Sequence, residues 1–246
     1  MKKELYKKVY SELNSLEDLE PVSKKHKVEK DVLKAILIEK TIRNTIKRFH
    51  VVKNRKKRLH SDWKGGKTFM QLANVCRFSP MLCASFIIQE EGHSKKKFRE
   101  FVTRVDSIKN ERVKKELKEA IQADYVYSHW GEIEQRERGE IHERKVGEWL
   151  KKKGIPFWTE QDRKGLGKTP DFLLKKKIKL KGRDIHWIES KAYFADEKEI
   201  RRTTKKQLQP YVELFGPGMV VYWFGFIEDT GLPDDVVFVD RGFFKG

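Results

Sequence analysis

The sequence predicts an α+β protein: an all-helical region over residues 1–122, then a domain over residues 123–246 in which helices flank a mixed sheet. Three observations predict it. In the first half, apolar residues recur three and four apart, the helical spacing. In the second half, five short apolar runs are bounded by turn residues, as strands are. The charge divides the same way: residues 1–120 carry 31 Lys+Arg against 16 Asp+Glu, and residues 121–246 carry 24 against 21.

Leu5, Val9 and Leu13 mark the first helix. A short helix around Leu16–His26, a turn at "HKVEK" and a longer helix from Asp31 follow, as in a helix-turn-helix. Asp31 is its N-cap candidate, with Val32, Ala35, Ile36 and Ile42 as the apolar stripe. "TFMQLANVCRFSPMLCASFIIQEEG" predicts a second such unit. Thr68 and Ser79 are its N-cap candidates, and Pro80 suits a first helical turn. A charged helix runs from Asp106 to Ala123.

From Arg43 to Lys67 the chain holds ten Lys+Arg and one acid, Asp62. One reading is a solvated charged turn. The other is a phosphate-contacting segment beside a recognition helix. In it Lys53, Arg55, Lys56, Lys57, Arg58, Lys64 and Lys67 meet the backbone, and Gly65–Gly66 allow close approach. The density of one sign favours the second. A formal net charge of +18 over 246 residues also calls for a polyanionic partner. A membrane surface fits less well, because apolar residues are not interleaved at helical spacing.

"RGEIHERKVGEWLKKKG" predicts an amphipathic helix, with Ile141, Val146, Trp149 and Leu150 inward and Gly154 as its stop. "IPFWTE", "DFLLKKKIKL", "DIHWIESKAYF", "MVVYWFGFI" and "DVVFVD" then read as strands, with a helix over roughly Glu197–Phe215 between the third and fourth.

The chain contains six [DE]-x-K triplets, and only Glu189-Ser190-Lys191 ends an apolar strand. Alternation puts Ile185, Trp187, Glu189 and Lys191 on one face. Charges there need partners or a metal. Asp171 opens the preceding run after Pro170, and a turn at "KLKGRD" would fold it against Glu189. Two adjacent carboxylates repel unless a cation lies between them. Oxygen ligands without nearby Cys or His suit Mg²⁺ or Mn²⁺, with the Ser190 carbonyl as a further ligand. Lys191 would orient the attacking water or stabilise charge on a phosphoryl oxygen. The alternative is a plain salt bridge between Lys191 and one carboxylate.

Cys76 and Cys83, the only two cysteines, cannot form a disulfide framework or a four-ligand zinc site alone. The N-terminus shows no apolar leader core, and the longest apolar run is far short of the ~20 residues that span a bilayer. The expected location is intracellular, cytoplasmic in a prokaryotic host or nuclear in a eukaryotic one.

Pro170-Asp171 followed by Glu189-Ser190-Lys191 resembles the PD-(D/E)xK nuclease superfamily. "GEIHER" with "VGEWLKKKGIPF" is similar to the first helix of archaeal Holliday junction resolvases, which implies Glu143 as a metal-site residue and Glu140 as its neighbour. "KTPDFLL", "WIESKAYF" and "FGPGMVVYWFGFI" resemble the TPD-motif family of these nucleases, the codanin-interacting nuclease family. That resemblance runs from about Asp124 to Ile227. It implies a restriction-endonuclease-like α/β/α fold and a catalytic set of Asp171, Glu189, Lys191 and Glu143. Gln207 and Tyr211 resemble the QxxxY element of RecB-type relatives, although Pro210 between them would strain a helix. Lys168, in the loop "RKGLGK", would approach the scissile phosphate or simply lie on the surface, and Lys205 and Lys206 lie nearby. His186 should face away from Glu189, and His142 away from Glu143.

The expected function is Mg²⁺-dependent hydrolysis of DNA, duplex or branched. Helix-turn-helix units favour DNA over RNA. The resolvase resemblance suggests branched DNA and is consistent with a homodimer. The alternatives are an inactive DNA-binding adaptor and a scaffold for a protein partner.

Overall fold

The computed structural model describes residues 1–165, 167–228 and 233–245. The chain forms two compact units, Met1–Glu39 with Glu137–Gly246, and Lys40–Arg136. The expected division near residue 122 is therefore not the one observed. The first 39 residues belong with the sheet, and the helical unit is an insertion whose limits fall inside two long helices. Periodicity continues unbroken through a helix, so nothing in the pattern marked those limits.

The unit Lys40–Arg136 contains most of helix α3 (Lys30–Asn54), then α4 (Lys56–Lys64), α5 (Phe69–Cys76), α6 (Pro80–Glu90), α7 (Lys95–Thr103) and α8 (Glu111–Ala123), and the start of α9 (His129–Lys152). Thr68 and Ser79 cap α5 and α6 as expected, accepting from Gln71 and Leu82 N–H groups. No residue of α6 is exposed, and Met81, Cys83, Ala84, Phe86, Ile87 and Ile88 are buried. Helix α6 is thus the unit's core and has no free face for a DNA groove, against the expected second helix-turn-helix. Two buried carboxylates brace the unit. Glu116 accepts from Trp63 Nε1 (3.0 Å), Phe69 N (3.0 Å) and Arg112 Nε (2.7 Å). Asp124 accepts from the Ser79 hydroxyl and from Met81, Val126 and Tyr127 N–H.

The other unit begins with α1 (Lys3–Glu12), α2 (Leu19–His26) and the first turns of α3. Lys27, in the left-handed conformation, ends α2. Asp31, expected as N-cap, lies one residue inside α3 and pairs with Arg241. Ala35–Ile38 are all buried, so this stretch of α3 also lacks a reading face. Tyr6 ties α1 to the sheet region, stacking on Phe194 (5.4 Å) and bonding Asp196 (3.0 Å).

The sheet runs β1 (Phe157–Thr159), β2 (Phe172–Leu180), β3 (Arg183–Lys191), β4 (Gly218–Tyr222) and β5 (Val236–Val239) in spatial order 1-2-3-4-5. The first two pairings are antiparallel and the last two parallel, the expected mixed sheet. Lys181 (φ 50°) and Gly182 (φ 79°) make the tight β2–β3 turn. A register shift between Leu173 and Ile178 leaves Lys175, Lys176 and Lys177 exposed in succession. Gly218 admits the Trp187 ring; a Cβ there would lie 2.0 Å from it. One sheet face carries α10 (Glu197–Thr203) and α11 (Gln209–Phe215), through Trp187, Leu208, Tyr211 and Tyr222. The other carries α9, where Gly147 sits over Phe172. Val146 and Leu150 of α9 are buried, but Ile141, expected beside them, is 40% exposed. Gly147 takes the inward position instead. No single helix among the described residues is long and apolar enough to cross a membrane.

Candidate active site

Phe172 pairs with Ile188 across the hairpin, so one residue further Asp171 stands opposite Glu189. The two are cross-linked through backbone. Asp171 N–H donates to Glu189 Oε2 (3.2 Å), and Ser190 N–H donates to Asp171 Oδ2 (2.7 Å). Glu189 is 1% exposed. Its Oε1 accepts from Lys191 Nζ (2.6 Å) and Gln207 Nε2 (2.7 Å). The salt bridge named as the alternative role for Lys191 is therefore present, within a larger arrangement.

Burial, then the charge of Glu189, pushes Asp171 up to about 7. Burial raises Glu189 by more than Lys191 lowers it. Glu143, on the exposed side of α9, is raised by partial burial and then by Asp171, Glu160 and Glu140. Glu160 is a further acid at the site that no sequence motif marks. Thr159 pairs with Phe172, which puts Glu160 beside Asp171 at the end of β1. The signal was the strand end "WTE", readable only once the β1–β2 register is known.

Gln207 reaches the site because the expected helix Glu197–Phe215 is not uniform. Thr204–Leu208 forms a π-turn between α10 and α11, with Pro210 in the first turn of α11. The wider turn accommodates proline where a regular helix would clash. Gln207 and Tyr211 still meet: Gln207 Nε2 donates to Tyr211 Oη (3.1 Å), which donates to the Thr169 carbonyl (2.8 Å). Pro210 cannot bond the Lys206 carbonyl four residues back, and Lys168 Nζ donates to that carbonyl instead (3.3 Å). Lys168 thus supports the helix from the cavity rim. Leu166 of the same loop lies outside the described residues.

The site opens to a cavity of about 530 Å³, whose lining includes Lys191, Lys168, Lys206, Arg202, Gln207 and Glu160. Lys191 is paired with Glu189 and Arg202 with Glu199 (2.6 Å), which leaves Lys168 and Lys206 as the lining cations without an acidic partner among the described residues, against Glu160, a modest excess that suits an anionic ligand. His142 bonds the Arg138 carbonyl (2.6 Å) and packs on Trp223, away from the carboxylates, as expected. His186 packs by Gly216.

The donor chemistry fits a hard cation: adjacent buried carboxyls raised by burial, with like charge adding to the rise at Asp171, and no thiol or imidazole among them. The set is not closed as it stands. Among the described residues no group of three or more His, Cys, Asp or Glu side chains is placed to hold a metal ion. Asp171 and Glu189 are together; Glu143 is near Asp171 without touching it. Ser190 Oγ accepts from Trp223 Nε1 (2.9 Å) on the other sheet face.

In the helical unit, Lys53, Arg55, Lys56, Lys57, Arg58, Lys64 and Lys67 are all exposed. Lys56 pairs with Glu90 (2.6 Å), Lys64 with Glu91 (2.8 Å) and Lys67 with Asp62 (3.5 Å). Lys53, Arg55, Lys57 and Arg58 have no acidic partner among the described residues.

A family model described as "Protein of unknown function TPD sequence-motif" matches residues 109–242. CDAN1-interacting nuclease 1 of Mus musculus is 32% identical over 169 residues, 65% of this chain and 60% of that protein. The Homo sapiens protein of that name is 31% identical over the same shares. That of Xenopus laevis is 43% identical over 93 residues, 37% of this chain and 31% of its own length. The chain thus spans less than two thirds of the relatives it matches. No solved structure matches it.

Proposed function

Because the chain belongs to the TPD sequence-motif family, we propose that it is a nuclease that hydrolyses phosphodiester bonds in DNA with a divalent cation. The observation that carries this reading is Asp171 set against Glu189, with Lys191 and Gln207 both on Glu189 Oε1. The names of the relatives support it.

Asp171, Glu189, Glu143 and the Ser190 carbonyl would hold Mg²⁺ or Mn²⁺. When bound, the ion supplies positive charge to phosphoryl oxygens and makes water more acidic. The chain's own residues do the rest. Gln207 and the Asp171 N–H keep the Glu189 carboxylate oriented. Lys191, at the cavity wall, can exchange Glu189 for a phosphoryl oxygen and stabilise the charge that develops there. Water attacks phosphorus and gives up a proton to solvent, the opposite P–O bond breaks, and the departing oxygen takes a proton back from solvent, with inversion at phosphorus. Lys206 holds the flanking backbone, while Arg202 stays on Glu199. The basic stretch from Lys53 to Lys67 docks duplex through phosphates, not through a recognition helix.

A second reading draws on the relatives' printed names, which call them CDAN1-interacting: the chain binds a protein partner. A scaffold or inactive adaptor would then keep the fold without cleavage.

The test is incubation of labelled linear and branched DNA with the protein in Mg²⁺, Mn²⁺ or EDTA, beside Asp171→Asn and Lys191→Ala. The expected outcome is metal-dependent cleavage, lost in Asp171→Asn and reduced at least about a hundredfold in Lys191→Ala. Cleavage that survives EDTA and both substitutions would sink the proposal. Binding without cleavage in any metal would favour the adaptor.

A further inference from the structure

Behind the candidate site lies a second cavity, of about 700 Å³, on the sheet face that carries α9. Its walls are aromatic. Trp223 and Phe244 stack at 4.9 Å, and Trp149 meets Phe244 at 5.6 Å. Trp149 and Phe244 are only partly buried, so ring surface remains at the wall. Its mouth is basic. Lys145, Lys152 and Lys153 are exposed, and none has an acidic partner among the described residues. Lys145 Nζ stands 5.5 Å from the Trp223 ring. Two acids line the same cavity, Glu148 and Asp31, and Asp31 is taken by Arg241.

Flat π surface with cations at its edge selects a planar ring that carries negative charge. The volume lies within the range of roughly 300–1,000 Å³ that suits small organic ligands. One hydrogen bond joins the cavity wall to the candidate site. Trp223 Nε1 donates to Ser190 Oγ, and the Ser190 N–H donates to Asp171.

We propose that this cavity holds an unpaired nucleotide of the strand bound at the candidate site. Its base lies against Trp149 and Phe244, and its phosphate lies on Lys145, Lys152 and Lys153. The identity of the strand rests on the nuclease reading; the cavity's chemistry does not. The substrate class that follows is DNA with a single-stranded tail or gap beside the cleaved bond.

The test uses the full chain in EDTA, with blunt duplex and the same duplex carrying an oligothymidine tail, read by fluorescence anisotropy. The expected result is about tenfold weaker binding of tailed DNA by Trp149→Ala and by the double variant Lys152→Glu/Lys153→Glu. Binding of blunt duplex should stay within about twofold. The lysines are exposed, so the double variant tests the cavity even if Trp149→Ala disturbs the fold. Equal losses on both DNAs, or none, would overturn the assignment. So would polyglutamate displacing the tail as well as oligothymidine does. Cleavage of the same DNAs by the unsubstituted chain in Mg²⁺ is scored separately, so failure of the nuclease reading stays distinct from failure here.

Discussion

Without a cation, Asp171 keeps its proton up to about pH 7, because burial and Glu189 both disfavour its charged form. In the unfolded chain the same carboxyl titrates near the ordinary aspartate value of 3.8. A raised acid stabilises the folded state fully below the unfolded pKa, and that stability is lost as pH rises through the folded one. Glu143 is shifted the same way. Measured against Asp171→Asn by melting in EDTA, the unsubstituted chain should therefore lose relative stability between about pH 4 and about pH 7, by roughly 1–3 kcal/mol. A divalent cation competes with those protons, so Mg²⁺ should raise Tm more at about pH 8 than at about pH 5.5. Asp171→Asn should flatten both dependences; an unchanged Mg²⁺ response in that variant would remove Asp171 from the metal set. Asp171, Glu189 and Lys191 were legible in the sequence because charge on an apolar strand has few explanations. Glu160 was not, since its place depends on how β1 pairs, and three residues do not declare a register.

At the level of elements, Gly218 is fixed by a ring and not by a turn. A Cβ would overlap Trp187, whose Nε1 is itself held by the Gly216 carbonyl (2.8 Å). Gly218→Ala should lower stability by about 3 kcal/mol or more, measured by urea unfolding; a loss under about 1 kcal/mol would mean the strand can shift aside. Tyr211→Phe removes the donor to Thr169 and the acceptor for Gln207. It should lower stability by about 1–2 kcal/mol and cleavage by roughly tenfold, with KM little changed. If cleavage is untouched, the π-turn positions Gln207 for packing alone. The five strands were legible from apolar runs and turn residues. The π-turn was not: Pro210 signalled trouble in the helix, but its resolution depended on Lys168, 42 residues earlier. Helix α6 misled because a cap, a proline and a short turn mark a helix start equally well in a core and in a reading head.

Over the whole molecule, Lys40–Arg136 carries 23 Lys+Arg against 11 Asp+Glu, so twelve of the eighteen net charges lie in that unit. Lys57→Glu with Arg58→Glu should weaken duplex binding severalfold. It should also lower the slope of log K against log salt by about 2, as two phosphate contacts are lost. Titrations at three salt concentrations measure it, and an unchanged slope would place the duplex elsewhere. The charge asymmetry was legible by counting, but the two-part make-up of the sheet unit was not, because contacts between residues far apart in sequence leave no local pattern. That make-up has a consequence for synthesis. The ribosome delivers Lys40–Arg136 as one continuous piece, ready to close as soon as it emerges. Met1–Glu39 must wait for 97 residues to be added before its own unit even resumes, roughly 5–20 s at ordinary elongation rates. Val9, Leu13, Val22 and Leu33, all buried in the finished fold, are without their sheet-side partners meanwhile. They are where a nascent-chain chaperone would first be needed.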